Sequence, residues 1–307
     1  VRAVLLVGLC TVDLVQRVTE LPSPGQKAQS LVADLAAGGP AANAAVAVAA
    51  TGGDPTLVTA LGQHPLAALA RADLEQQGVR VVDLSPEHAA APPVSAVMVR
   101  ESDGERTVVS RNSAEIPAHP DDVIPDLVAR SAAVLVDGHH PEIALATARE
   151  ARRQGVPVVL DAGSWKPVLN ELLPLVDVCA CSSAFTVPGP TRFSAAVHGF
   201  GVPVLIRTAG PEPVTWSCVY GHAPDGTPLV VGGQVPVAPV PARDTLGAGD
   251  VWHGVFALGV ACLGRTPGPA ELPGLVGAAN DVAGLRVQHV GPRAWVQPVR
   301  EQGRGGE

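Results

Sequence analysis

Lysine is almost missing from this chain: Lys27 and Lys166 are its only two lysines among 307 residues, and the net charge is −8. The arginines form no long cluster, and Arg149, Arg152 and Arg153 share their stretch with Glu150 as an ordinary helix surface does. A nucleic-acid partner needs a basic face, so that class is excluded. Neither lysine follows a Gly-x-x-x-x-Gly, which removes the P-loop; His-Glu-x-x-His and Gly-x-Ser-x-Gly are absent too. Gly247-x-Gly249 is followed by a glycine only at Gly254, too late for a dinucleotide fingerprint. The five cysteines (Cys10, Cys179, Cys181, Cys218, Cys262) make no Cys-x-x-Cys pair and read as buried thiols. Long apolar runs are lacking as well. The stretch 1–10 superficially resembles a lipoprotein signal, but it is short and Thr11 and Asp13 follow directly, so a buried first strand fits better. No other segment reaches membrane-spanning length, and a soluble, cytoplasmic protein is expected.

What is present is a hydrophobic content of 47%, enough for a substantial core and against disorder. Short apolar runs alternate with helical patterns, the signature of a parallel sheet covered on both faces. Strands are expected at 4–9, 56–60, 133–136, 158–160, 176–180 and 204–207. Helices are expected at 41–51, 66–77, 142–154 and 251–263, with Gly78 and Gly155 where C-terminal caps belong. Beyond residue 207 hairpins take over at 214–220, 229–231 and 235–240, with Asp225-Gly226 as a turn. A last helix near 270–285 closes the chain, and the tail after Arg300 (Gly303, Gly305, Gly306) reads as disordered. Two segments, 11–35 and 93–112, break the rhythm with extended, turn-bearing sequence.

The most informative stretch is Asp244-Thr245-Leu246-Gly247-Ala248-Gly249-Asp250, followed at once by an apolar helical run. Glycines around an alanine let backbone N–H groups converge at a helix start, where the dipole already favours an anion. A carboxylate at the rim of such a site is odd unless Asp250 must take a proton from a hydroxyl about to attack a phosphoryl group. A bare helix cap would not require Gly247 and Gly249 just before it. The loop reads as an anion hole and a base supplied together.

This heptapeptide resembles the C-terminal signature of the ribokinase-like (PfkB-type) carbohydrate kinases. Gly38-Gly39-Pro40-Ala41-Ala42-Asn43-Ala44-Ala45, leading to Gly52-Gly53, resembles the same family's N-terminal signature. The resemblance spans nearly the whole chain. It implies one α/β domain over 1–307, with a central, mostly parallel sheet between helices and a small β lid built from 11–35 and 93–112. It implies an ATP-dependent sugar kinase with Asp250 as base and the amides of Gly247, Ala248 and Gly249 on the transferring phosphoryl group. Sugar hydroxyls would meet Gly38, Gly39, Asn43 and Asp13, with Asp137 as a further acidic substrate residue. Nucleotide would meet Thr208 and Gly210, and Ala279, Asn280 and Ala283 would flank adenine. Asp244 would either hold a monovalent cation such as K+ or order the loop. Mg2+ would accompany ATP, and a homodimer through the lid is the family expectation.

His139 and His140 invite a metal reading, but adjacent histidines without a suitably spaced third ligand read as loop residues. Lys166 could neutralise a phosphate, though a solvated lysine is the default. One departure stands out: where many relatives carry Asn-x-x-Glu, this chain has Ser182-Ser183-Ala184-Phe185. That places it nearest ketohexokinase-like members. A nucleoside kinase and a non-catalytic sugar sensor are the alternatives. Aromatics at 3%, with none in either lid segment, favour a small polyol over a purine.

Overall fold

The computed structural model describes residues 1–111, 116–189, 192–224 and 226–304, without the side chain of Arg304. In chain order the elements begin with β1 (Ala3–Val7), β2 (Thr11–Val18), β3 (Ser30–Gly38), α1 (Pro40–Ala50) and β4 (Asp54–Thr59). Next come α2 (Pro65–Gln76), β5 (Arg80–Asp83), β6 (Val94–Arg100), β7 (Arg106–Ser110), α3 (Val123–Ala129) and β8 (Ala133–Val136). They continue through α4 (Pro141–Gln154), β9 (Val158–Ala162), α5 (Leu169–Leu172), a 3-10 turn (Leu173–Leu175), β10 (Val178–Ser182) and α6 (Phe193–Gly199). The last are β11 (Val204–Ala209), β12 (Glu212–His222), β13 (Pro228–Val235), α7 (Ala248–Leu263), α8 (Leu272–Val287) and α9 (Val296–Arg304).

Nine strands form one sheet in the order β13-β12-β11-β10-β9-β8-β1-β4-β5. It is parallel from β5 to β11 and ends in the antiparallel hairpin β12–β13. Strands β8 and β9 are buried along their whole length, as expected of inner strands covered on both faces. One face packs a core under α1, α7, α8 and α9, and the other under α3, α4, α5 and α6. The parallel strands point their C-terminal ends to one edge, where open α/β sheets bind ligands.

A second sheet of four strands, in the order β3-β2-β6-β7, stands apart from the first. Its inner residues Val15, Val97 and Val99 cluster with Leu246. Arg17 pairs with Glu101 and donates from Nη2 to the Arg243 carbonyl at 3.1 Å, and Arg106 Nη1 donates to Thr245 Oγ1 at 2.6 Å. The small sheet therefore grips the start of the loop that leads to Asp250. Its outer side leaves Leu31, Leu35 and Val109 more than half exposed.

Some elements differ from the sequence reading. Segment 236–240 is not a strand: Pro236 and Pro239 have no N–H to give a ladder, and β13 stops at Val235. Residues 301–304 are not loose, because α9 runs to Arg304, anchored by buried Trp295, Val296 and Val299. Strand β5 and helices α3, α5 and α6 are short, and their patterns are too brief to stand out. Asn112, Asp225, Gly305 and Gly306 lie outside the described residues.

Helix α1 is alanine and valine almost throughout, and it is buried nearly all round. Small side chains let α7 come very close. A Cβ on Gly254 would sit 2.3 Å from the Ala44 carbonyl oxygen, so only glycine fits there. Replacing Gly254 with alanine should force the two helices apart and destabilise the fold by roughly 1–3 kcal/mol. Urea unfolding of G254A against the parent checks this, and an unchanged midpoint would contradict the close packing.

Candidate functional site

Two helix starts meet at the C-terminal edge of the main sheet. Gly39 precedes α1 with φ of +93°, and a Cβ there would lie 2.5 Å from the Leu9 carbonyl oxygen. Gly247 precedes α7 in the left-handed conformation, with φ of +70° and no side chain capping the helix. These turns aim Asn43 and Asp250 at each other, and Asn43 Nδ2 donates to Asp250 Oδ2 at 2.8 Å. The first helical bond of α7 runs from Val251 N–H to the Gly247 carbonyl at 3.0 Å. The Gly249 and Asp250 amides lie ahead of it, in the turn that has no intrahelical partners. Ala248 N–H makes only a long 3.4 Å contact with the Thr245 carbonyl. Amides, helix dipole and a half-buried carboxylate thus share one point.

A shallow cleft opens beside this point, lined among others by Asp13, Asn43, Gly247, Val251 and Arg293. Asp13, on β2, is buried and accepts from Thr11 Oγ1 at 2.6 Å. Its carboxylate lies against Gly38, where a Cβ would come within 2.0 Å of Oδ2. Burial raises the Asp13 pKa, against the hydrogen bonds of Thr11 and Ser95. Arg293 is held by Asp73 at 2.7 Å and the Ala37 carbonyl at 2.6 Å, and it reaches Asn43 Oδ1 at a long 3.5 Å. A donor on the oxygen side of Asn43 leaves its NH2 for Asp250, so the amide orientation is set from both ends.

Burial, with the Asp161 charge behind it, pushes the Asp250 pKa up to about 6, while Asn43 and His253 pull it down. His253 lies one turn along α7 from Asp250, and its Nδ1 is 3.2 Å from Asp161 Oδ2 at the end of β9. Both are buried, and the contact is an ion pair that falls short of hydrogen-bond geometry. Burial opposes charge on both, yet Asp161 and Asp250 raise His253 above its ordinary value, and His253 holds Asp161 below its own.

The remaining sequence-selected residues sit elsewhere. Asp137 is buried against Gly8 and uses both oxygens on the backbone, accepting from Leu9 N at 2.8 Å and His139 N at 2.9 Å. It ties the ends of β1 and β8 together and does not line the cleft. Asn280 accepts from Trp252 Nε1 at 2.8 Å and donates to the Pro236 carbonyl at 3.3 Å, so its amide is engaged between helices. Ala283 follows on α8. Thr208 is next to last in β11, its hydroxyl on the Cys181 carbonyl, and Gly210 turns the chain into β12 with φ of +61°. Asp244 is fully buried, accepting from Leu246 N and Gly291 N at 3.0 Å each. Among the described residues no three His, Cys, Asp or Glu side chains converge as a metal site.

Sequence reasoning passed over Asp161, His253, Arg286 and Arg293. His253 carried a usable signal, since i and i+3 share a helix face. Arg286 and Arg293 carried none, because the pairing of the C-terminal segment with α1, α2 and the 244–250 loop is purely tertiary.

Comparison with known proteins follows the same lines. The family model described as pfkB family carbohydrate kinase matches residues 1–298. A ribokinase from Arabidopsis thaliana is 27% identical over 274 residues, 82% of this chain and 69% of its own length. A solved structure from Agrobacterium tumefaciens superposes with a TM-score of 0.81 at 26% identity, covering 99% of this chain and 98% of that one. The Arabidopsis thaliana ribokinase solved with ribose and ATP shares the fold, with a TM-score of 0.71 at 23% identity over 97% and 98% of the two chains.

The electrostatics predict a titration. The Asp250 carboxyl, followed by 13C NMR and assigned by its loss in D250N, should titrate near 6. In H253Q the midpoint should rise by about one unit, because the cation favouring the carboxylate is gone. A midpoint that stays put would show that His253 does not act on Asp250.

Proposed function

The chain belongs to the pfkB family of carbohydrate kinases, and from that premise we propose that it transfers the γ-phosphate of ATP to a hydroxyl of a small sugar, a ketose or related carbohydrate. The observation that carries the reading is the Asp250 carboxylate, fixed by Asn43 at 2.8 Å beside the left-handed Gly247 at the start of α7. Asp250 takes the proton from the acceptor hydroxyl as its oxygen attacks in line. The amides of Gly247, Ala248 and Gly249 face the charge that spreads over the transferring phosphoryl oxygens. Acceptor hydroxyls are held by Asp13, by Asn43 and by the backbone at Gly38 and Gly39, where glycine permits close approach.

Mg2+ belongs with ATP, whose phosphate charge it neutralises. No Asn-x-x-Glu is present to organise it, as the sequence 182–185 reads Ser-Ser-Ala-Phe. Thr208 and Gly210, at the sheet edge, are the nucleotide-side residues of this reading, with Asn280 and Ala283 on α8 near the base. Asp137 then acts by positioning the turn that carries His139. The four-stranded sheet serves as the lid: its grip on the Arg243 carbonyl and the Thr245 hydroxyl couples sugar closure to the shape of the anion hole, and closure excludes water from ATP. The exposed Leu31, Leu35 and Val109 give that lid an apolar outer surface suited to a second copy. No helix among the described residues is long and apolar enough to cross a membrane; the use of ATP as donor supports a cytoplasmic location.

Two measurements test the reading. ADP release over ketohexoses, pentoses, acidic sugars and nucleosides should single out a small sugar; release with none of them would refute kinase activity. With that sugar, Asp250→Asn should keep ATP affinity by calorimetry yet lose roughly 10²–10⁴-fold in turnover. Unchanged turnover would remove Asp250 as the base.

A further inference from the structure

Asp244 opens the loop that ends in Asp250, and by resemblance it would either hold a monovalent cation or order the loop. The residues around it do not fit a bound ion. Arg286, from the last turn of α8, is 2% exposed and faces Asp244, which is 1% exposed. Its Nη2 lies 3.5 Å from Asp244 Oδ2, and its Nη1 donates to the His289 carbonyl at 2.9 Å and the Asp244 carbonyl at 3.4 Å. One carboxylate oxygen and two carbonyl oxygens around a single positive charge form the donor set that a hard cation seeks. Here a guanidinium already fills it. We propose that Arg286 is a tethered cation: it takes the place of a monovalent ion beneath the anion-hole loop and makes phosphoryl transfer independent of such ions.

Three features support the assignment. A buried carboxylate needs a compensating charge, and the guanidinium cannot lose its proton. At the C-terminus of α8, where the helix dipole is negative, that charge is doubly favoured. Finally, the loop is fastened to the same spot. Arg243 N and Asp244 N donate to the Val287 carbonyl at 2.7 and 3.1 Å, and the Asp244 carboxylate receives Leu246 N and Gly291 N. Moving Arg286 therefore moves the backbone just before Gly247. Arg286 is a positioning residue, acting on the reacting phosphate only through the amides.

The proposal rests on the kinase reading, so its test has an arm that needs no turnover. Thermal unfolding of the apo protein is followed at constant ionic strength in choline, potassium or millimolar guanidinium chloride. The parent should show no specific response to potassium or guanidinium. Arg286→Ala should melt lower in choline and be raised by either small cation, which binds the vacated oxygens. In the activity arm, ADP release is measured with D-ribose or, failing that, the best acceptor of the panel. The parent should be equally active in potassium and choline. R286A should lose roughly 100-fold in choline, mostly in kcat, and regain activity with potassium or guanidinium. Activation of the parent by potassium would overturn the proposal. So would an R286A protein as active as the parent in choline, or a folded one that no cation restores. If R286A does not fold, R286K and R286Q take its place, and the parent's cation response still decides. Absence of ADP release from every acceptor would defeat the kinase reading alone, leaving the unfolding arm to judge Arg286.

Discussion

The contact between the N-terminal halves of α1 and α7 is the constraint on which everything else hangs. Gly254 lets the helices approach until the α7 backbone touches the Ala44 carbonyl, and the alanines of α1 keep that seam thin. Only at this separation can Asn43 reach Asp250 at 2.8 Å. The proposed base is thus aimed by packing in the core rather than by a flexible loop. Preorganisation of this kind is what electrostatic catalysis requires, since donors fixed before the reaction need no reorganisation during it.

Charge in the site is arranged in tiers. Asp13, Asp161 and Asp250 would repel one another if all were bare, and each has its own partner. Asp161 faces His253 at 3.2 Å, Asp250 accepts from Asn43, and Asp13 accepts from Thr11. Behind them Arg293 bridges Asp73 to the Asn43 amide, and Arg286 compensates Asp244. A carboxyl pushed up to about 6 is a better proton acceptor than an ordinary aspartate and is still ionised at neutral pH. The cationic side chains hold the frame, and in the proposed reaction the backbone amides are left to meet the phosphate.

Much of this was legible in the sequence, and the reasons are local. Gly247 and the Gly38-Gly39 turn announce themselves because left-handed or crowded backbone tolerates little else. The parallel strands announce themselves as short apolar runs. Asp137 illustrates the limit: an acidic residue at a strand end looks like a ligand group, but its two oxygens are taken by Leu9 and His139 amides. Asn280 is similar, since the Trp252 indole that occupies it lies 28 residues away. Arg286 and Arg293 could not be found by pattern, because their partners are set by how α8 and the segment after it fold back over the first helices. The tail illustrates the converse, for polar-looking 296–304 is a helix pinned by Trp295 and two valines.

A crystal structure with ADP, a planar phosphoryl mimic and the phosphorylated sugar's parent alcohol tests the central geometry most directly. The mimic should sit on the amides at the start of α7. The acceptor oxygen should lie between it and Asp250, within about 2.6–3.2 Å of the carboxylate. A mimic bound away from Gly247–Gly249, or an acceptor oxygen out of reach of Asp250, would contradict the proposed site.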